Sequence, residues 1–415
     1  MNRQDLELIL VSMEGPDAWS QVGGLGTRVS GLATVTAGQG IPTHLVFWGD
    51  PALPPREQQG ALDCIRWGQA ISRRWPSGVY DGEAERVRDW EDHLPGFLVD
   101  ELIRPALAQG REVVLACEEW QTAGVAIATS DLLHRLGVRS RVTLLWNANN
   151  VYGFDRIDWP RLNFVAHLTT VSRFMKQRMW QEGVNPTVIP NGVGGEAFVP
   201  SDPEVVQRLR RAVGADLFLL KIGRFDPDKR WPMALEALAA LRARGVQARL
   251  LLRGQGEGRE SVRAVAERLG LSWERIAPPP GLLAEALAET RAPVVEVGQR
   301  LPEAELRALY RAADAVLAQS GFEPFGLVGL EVMAQGGVAV TGDTGEDYAI
   351  PFVNALVVDS DQPEELTELL EALGEDERLS ARLREAGPPT AQRYRWETVA
   401  EGFWRRVAQF QRQAK

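Results

Sequence analysis

The sequence predicts an α/β protein made of two doubly wound parallel-sheet domains. Short aliphatic runs alternate with helical patterns along both halves of the chain, which is the βαβ grammar of a parallel sheet covered by helices. At 415 residues the chain exceeds the usual size of one hydrophobic core. Its 45% hydrophobic and 25% charged residues are those of an ordinary globular protein.

In the first half the strand candidates are Leu8–Val11, Thr43–Phe47, Val113–Ala116, Val142–Leu145 and Leu168–Val171. After the first comes Gln21-Val22-Gly23-Gly24-Leu25-Gly26, then a helical stretch from Thr27 to about Ala37. Glycines here let backbone amides approach a ligand at a helix start. Gly24-x-Gly26 with Asp50 at the end of the next strand also mimics a dinucleotide fingerprint, with Val29 where its third glycine would stand. A nicotinamide-dependent oxidoreductase is therefore a competing reading. From Asp50 to about Gly110 no element is clear: Pro51, Pro54 and Pro55 mark a loop, and Trp67, Trp75 and Trp90 recur without a period. Core packing suits these indoles better than stacking on a sugar. Two polar clusters follow later strands, Glu118-Glu119-Trp120-Gln121-Thr122-Ala123 and Trp146-Asn147-Ala148-Asn149-Asn150. Polar residues where parallel strands end are the expected lining of a cleft. Asn149 and Asn150 either bind ligand hydroxyls or cap the next segment. Ile189-Pro190-Asn191-Gly192-Val193 reads as a rigid turn between domains.

The second half repeats this grammar with Leu217–Leu220, Arg249–Leu252, Val294–Val297, Ala315–Ala318, Val338–Val340 and Leu356–Val358. The first of these leads into Gly223-Arg224-Phe225-Asp226-Pro227-Asp228-Lys229, where two cations on a strand-end loop can converge on a diphosphate. Gly254-Gln255-Gly256 reads as an ordinary turn. Ala315–Ala318 leads into Ser320-Gly321-Phe322-Glu323-Pro324-Phe325-Gly326 and a short helix from Leu327 to Gln335. Such a junction offers unpaired N–H groups to an anion. Glu323 and Glu331, offset by roughly 7 Å along the helix at ~1.5 Å per residue, suit hydroxyl groups on either side of that anion. Thr341-Gly342-Asp343-Thr344-Gly345-Glu346 follows the next strand. Of the two D-x-D triplets, Asp226-Pro227-Asp228 lies between the two cations, and Asp361 of Asp359-Ser360-Asp361 reads as a cap for the helix Glu364 to Leu373. The chain closes with a charged amphipathic helix from Arg395 to Gln411.

Several classes are excluded. A net charge of −10 and a pI near 5.2 argue against a nucleic-acid partner. Cys64 and Cys117 are too few for a disulfide framework or a thiolate zinc site, and His44, His93, His134 and His167 show no ligand spacing, so no metal is expected. The apolar run Leu6–Val11 is too short for a signal core or membrane span. A cytoplasmic enzyme with no transmembrane segment is the expectation; peripheral membrane contact and oligomeric state stay open.

The stretch Glu323-Pro324-Phe325-Gly326 followed by Glu331 resembles the E-x7-E motif of retaining GT-B glycosyltransferases, especially the GT4 group and the related glycogen and starch synthases. Gly223–Lys229 resembles their G-R-x-x-x-x-K phosphate site, and Ile189–Val193 their I-P-N-G-V segment. Gln21–Gly26 resembles the K-x-G-G-L-G loop, with Gln21 for its lysine, and Glu118–Ala123 resembles H-D-W-H-T-A, with Gln121 for its second histidine. The Gln21 departure weighs against glucan synthesis, and in the second segment only Trp120, Thr122 and Ala123 match. The resemblance implies a GT-B fold: two facing Rossmann-like domains with an interdomain cleft, 1–192 on the acceptor side, 193–390 binding the donor, and 391–415 crossing back. It implies transfer of a hexose from a nucleotide-diphosphate sugar, UDP-sugar first and GDP- or ADP-sugar next, to a carbohydrate or small hydroxyl acceptor, with no cofactor required. Arg224, Lys229 and Glu323 would be catalytic. Gly23, Gly24, Phe325, Gly326, Leu327 and Glu331 would join them around the donor, while Glu119, Trp120, Gln121 and Asn149 would line the acceptor side. A glucan-synthase-like enzyme and a non-catalytic nucleotide-sugar-binding protein are the nearest alternatives.

Overall fold

A computed structural model describes residues 5–413. The chain divides into two compact units, Met1–Gly192 with Trp396–Lys415, and Val193–Arg395. In the first unit, β1 (Leu6–Ser12), β2 (Thr43–Phe47), β3 (Arg56–Gln59), β4 (Leu62–Arg66), β5 (Glu112–Glu118), β6 (Val142–Ala148), β7 (His167–Thr170) and β8 (Thr187–Val188) form one sheet in the order β3-β4-β2-β1-β5-β6-β7-β8. Every pairing is parallel except β3 with β4. β1 and β5 are buried along almost their whole length, which is why they read as unbroken aliphatic runs.

The chain lays strands to one side of β1 and then crosses to start β5 on the other. That reversal opens a crevice at the carboxyl ends of β1 and β5, where α/β sheets bind ligands. The second unit does the same. Its β9 (Leu217–Arg224), β10 (Ala248–Gln255), β11 (Trp273–Ile276), β12 (Val294–Val297), β13 (Ala315–Leu317), β14 (Ala339–Gly342) and β15 (Leu356–Val358) run in the order β11-β12-β10-β9-β13-β14-β15, all parallel. Here the reversal falls between β9 and β13. Leu219, Leu250, Leu317, Val340, Leu235 and Leu238 pack into this unit's core with Trp231.

The stretch after Asp50 carries more structure than its sequence shows. The edge strand β3, Arg56-Glu57-Gln58-Gln59, is polar and mostly exposed, so it has no alternation to detect. β4 is interrupted by Asp63 and Arg66, both buried and paired: Asp63 with His44 and Arg56, and Arg66 with Asp17. Of the three tryptophans that recur in this stretch, Trp90 is fully buried as a core residue, Trp67 is half-buried with its indole N–H donating to Asp89, and Trp75 is 38% exposed, so the core role expected of all three holds only in part. The first helix, α1 (Gly24–Gly38), begins three residues earlier than Thr27, with Gly23 as its N-cap. Asp361 does not cap the helix Pro363–Glu375. Gln362 is its N-cap, the Glu365 carboxylate reaches back to the amides of Asp359 and Ser360, and Asp361 pairs with Arg230 instead. Among the described residues no helix is long and apolar enough to cross a membrane.

Candidate active site

In the second unit the reversal point gathers three loops. β9 ends at Arg224 and is followed by a short turn, Pro227–Lys229, capped by the Asp226 carboxylate on the Asp228 amide at 3.1 Å. Asp226 thus serves as a cap. β13 is followed by Gln319–Gly326 and the helix Leu327–Ala334. The two loops touch, the Gly321 amide donating to Asp228 O at 2.8 Å. Across that contact Lys229 Nζ meets Glu323 Oε2 at 2.5 Å and Ser320 Oγ at 3.4 Å. The loop after β14 closes the third side: the Glu323 amide donates to Thr344 Oγ1 at 3.1 Å, and Thr344 Oγ1 donates to Glu323 O at 3.1 Å.

Two of the four sequence-predicted charged residues, Lys229 and Glu323, therefore meet across these loops, and the four behave differently. Lys229 and Glu323 are one-quarter exposed or less and pair with each other, while Arg224 is 68% exposed beside Asp226 at 3.7 Å. Glu331 lies one turn along the helix, its carboxyl enclosed and accepting from Tyr310 Oη at 3.1 Å. Burial pushes Glu331 up to about 7. Phe325 is buried against Tyr348 and Tyr394, and Gly326 is the N-cap with φ 76°, a left-handed conformation that favours glycine. Tyr348 Oη donates to the Gly326 carbonyl. Among the described residues the amides of Phe325, Gly326 and Leu327 meet no acceptor, which leaves this helix start open to an anion.

Sequence reasoning overlooked two buried groups behind these loops. Glu346 is 6% exposed, its Oε2 accepts from Thr344 at 3.3 Å, and its Oε1 has no partner. Burial, with the Glu323 charge nearby, pushes it up to about 8. Lys221 is 2% exposed and donates to Leu317 O at 3.1 Å and Gln319 Oε1 at 3.2 Å. Burial, reinforced by Lys229 and Arg230, holds its ammonium well below the usual lysine range. A charged residue inside an otherwise apolar strand, Leu219-Leu220-Lys221-Ile222, was the available signal.

In the first unit the glycine loop is used differently from expectation. The Glu14 carboxylate, just after β1, accepts from the amides of Val22 (3.1 Å), Gly23 (3.0 Å) and Gly26 (2.9 Å), and its other oxygen from Tyr80 Oη at 2.7 Å. The start of α1 is thus closed by the protein's own anion, and the Gly23 amide is not free for a donor phosphate. Gly24 keeps open space at its Cα. Arg28, further along α1, pairs with Glu118 at 3.1 Å with both side chains 2% exposed, and it also donates to Asn191 Oδ1 at 2.8 Å. Asn191 of the inter-unit turn is therefore an electrostatic partner, beyond its turn chemistry.

At the ends of β5 and β6, Glu118 accepts from the side-chain amides of Asn147 and Asn149, each at 2.8 Å, and Glu119 accepts from the Asn149 backbone amide at 2.5 Å. Gln121 donates to Glu83 at 2.9 Å, and Trp120 lies under the Arg156 guanidinium. Glu119 and Asn149 are thus brought together, while the side chains of Gln121 and Trp120 are engaged by Glu83 and Arg156. The Asn150 side chain accepts from the Tyr152 amide at 2.7 Å, a local turn, and its backbone amide donates to the Glu119 carboxyl. Asp50 likewise accepts from the Ala52 amide at 2.8 Å, so the residue that suggested a dinucleotide site stabilises a turn. Among the described residues no grouping of His, Cys, Asp and Glu has the make-up of a metal site.

Comparison with known proteins gives this geometry a family. Residues 282–389 match the family described as glycosyl transferases group 1. A D-inositol 3-phosphate glycosyltransferase of Thermobispora bispora is 32% identical over 349 residues, 80% of this chain and 78% of that protein. One from Segniliparus rotundus is 31% identical over 226 residues, 52% of this chain. The match spans about half the length of the latter relative, 45%. Among solved structures, sucrose-phosphate synthase from Thermosynechococcus elongatus has a TM-score of 0.66 at 19% identity, covering 97% of this chain and 98% of that one. Anabaena Alr3699/HepE, solved in complex with UDP and glucose, has a TM-score of 0.62 at 16% identity, covering 97% and 99%. These neighbours share the GT-B fold. With the family model on the loops that carry Glu323 and Glu331, and a relative matched over most of its length, the chain belongs to the group 1 glycosyltransferases.

Proposed function

We propose that the protein moves a hexose, with retention of anomeric configuration, from a nucleotide-diphosphate sugar to a hydroxyl acceptor. The observation that carries the donor assignment is the Lys229–Glu323 contact at 2.5 Å, which puts a cation for phosphate and an acceptor for sugar hydroxyls side by side. Arg224, extending from the end of β9, and Lys229 hold the diphosphate. The open amides of Phe325, Gly326 and Leu327 stabilise charge on the leaving phosphate. Glu323 binds the sugar, and Glu331, held by Tyr310, binds the ribose. A UDP-sugar is the first choice, a reading supported by the UDP found in the Anabaena neighbour. GDP- and ADP-sugars are the next. The acceptor is met by the first unit through Glu119, Trp120, Gln121 and Asn149. No metal or cofactor is required, and the enzyme works in the cytoplasm.

The test is nucleotide release from UDP-, GDP- and ADP-glucose. Arg224→Ala and Glu323→Ala each lower kcat/KM by about 100-fold or more, equivalent to roughly 2.7 kcal/mol of transition-state stabilisation. Wild-type rates in both variants would falsify the donor-site assignment. A protein that binds the nucleotide sugar but turns it over against no acceptor would instead be a sensor.

A further inference from the structure

β9 carries a lysine where its own pattern calls for an apolar residue. Side chains alternate along a strand, so Lys221 shares a face with Leu217 and Leu219, which pack into the core beside Trp231. A methionine would continue that face with no charge to desolvate. Lys221 is 2% exposed, and its charge is disfavoured by burial first and by the neighbouring cations Lys229 and Arg230 next. Among the described residues it has no carboxylate partner. What this lysine supplies is therefore hydrogen bonds rather than charge.

Those bonds reach the place where the loops after β9 and β13 leave the sheet. Lys221 Nζ donates to Leu317 O at 3.1 Å, on the last residue of β13, and to Gln319 Oε1 at 3.2 Å, at the start of the loop that runs to Gly326. The same Nζ lies 5.2 Å from the centre of the Trp231 ring, and the Trp231 indole N–H donates to Arg224 O at 2.7 Å. Lys221 thus touches both the root of the loop bearing Glu323 and the indole that holds the end of β9. The Gln319 contact matters most. That side chain is fully buried, its Nε2 has no partner, and among the described residues Lys221 is all that its Oε1 meets. A buried amide deprived of its one bond turns out toward water, because leaving it unsatisfied inside costs more than the bond itself contributes. Turning Gln319 out draws Gly321 off Asp228 O and carries Glu323 with it.

We propose that Lys221 is a positioning residue, which fixes the loop after β13 through Gln319 and so sets where Glu323 stands against Lys229. Its consequence for donor binding rests on the transferase reading above; the positioning itself does not. Hydrogen exchange on the full chain without ligand reads the positioning at the amides of Gly321 and Glu323, which donate to Asp228 O and Thr344 Oγ1. Titration with UDP reads the consequence. Lys221→Met, similar in length and unable to donate, speeds exchange at these two amides and weakens UDP binding, each by about tenfold or more, with exchange along β10 and β12 unchanged. Gln319→Leu breaks the same bond from the other side, gives the same two effects, and carries the test should Lys221→Met not melt cooperatively. The double variant Lys221→Met/Gln319→Leu leaves no buried amide unsatisfied and returns to within about threefold of wild type, a recovery that a lysine acting independently of Gln319 would not give. Unchanged exchange at Gly321 and Glu323 in both single variants overturns the proposal. So does exchange that rises equally along β9, β10 and β13, the sign of a lysine needed only for the fold. A double variant worse than either single one overturns the route through Gln319, and altered exchange with unchanged UDP affinity overturns the consequence for the donor. A wild type that binds no UDP counts against the donor reading, and the exchange result then decides the positioning by itself.

Discussion

At Glu346 a carboxyl is held with one oxygen unpartnered, against the Gly326 cap of the Leu327–Ala334 helix. Its position about 8 in the folded chain, against 4.5 without the fold, has a definite sign for stability. Between those values the folded state holds a proton that the unfolded state has released, so stability falls as pH rises. The contribution is complete below about pH 4.5 and gone above pH 8. Glu331 and Glu119 act in the same direction, whereas buried Lys221, depressed in the folded state, acts in the opposite one. Comparing Glu346→Gln with wild type cancels those other groups. The two should melt together at pH 5, and the variant should melt higher by a few degrees at pH 9; a gap that does not change with pH would show that the group titrates normally.

At the scale of elements, close backbone approach holds the loops after β13 and β14 together. A Cβ on Gly345 would meet Glu323 O and Pro324 at 2.2 Å, so Gly345→Ala must push the loop after β14 away from the loop after β13. Overpacking of this kind costs about 1–3 kcal/mol. The expected result is a modest drop in Tm and a loss of donor affinity of about tenfold or more, read by titration with UDP, because Glu323 moves away from Lys229. Retained affinity would mean that the loop after β14 does not set the position of Glu323. The two helix starts show the same physics with opposite outcomes. α1 begins at amides satisfied by Glu14, while the Leu327–Ala334 helix begins at amides with no acceptor among the described residues. Glycine-rich sequence is common to both starts, and long-range pairing separates them.

For the whole molecule, the first unit is discontinuous. Its last helix, Trp396–Gln413, returns to it with Trp396, Val399, Phe403, Val407 and Phe410 buried. The Trp396 indole lies where a Cβ on Gly31 would be 2.1 Å away and one on Gly192 2.3 Å away. At roughly 1.5–3 kcal/mol per buried large apolar side chain, that helix supplies on the order of 10 kcal/mol, comparable with the whole stability of a domain. Truncation after Arg395 should therefore unfold the first unit and spare the second. Hydrogen exchange would show protection lost along β1 and β5 and kept along β9 and β10; equal protection in both would contradict this accounting.

The strands that bear the site were legible because parallel strands buried on both faces must be aliphatic throughout, so β1, β5, β9 and β13 announce themselves, and polar residues directly after them mark strand ends. Arg224, Lys229, Glu323 and Glu331 could be named on that basis. β3, β4 and β11 could not, since edge position and internal ion pairs remove the hydrophobic period. Pairing was equally hidden. That Lys229 meets Glu323, that Glu14 closes the start of α1, and that Arg28 is consumed by Glu118 depend on residues 94, 8 to 12 and 90 positions apart. Local chemistry determined which elements form and which residue types stand at their ends; only the tertiary structure decided which charges neutralise one another and which polar atoms are left for a ligand, because electrostatic partners are chosen by distance in space and not along the chain.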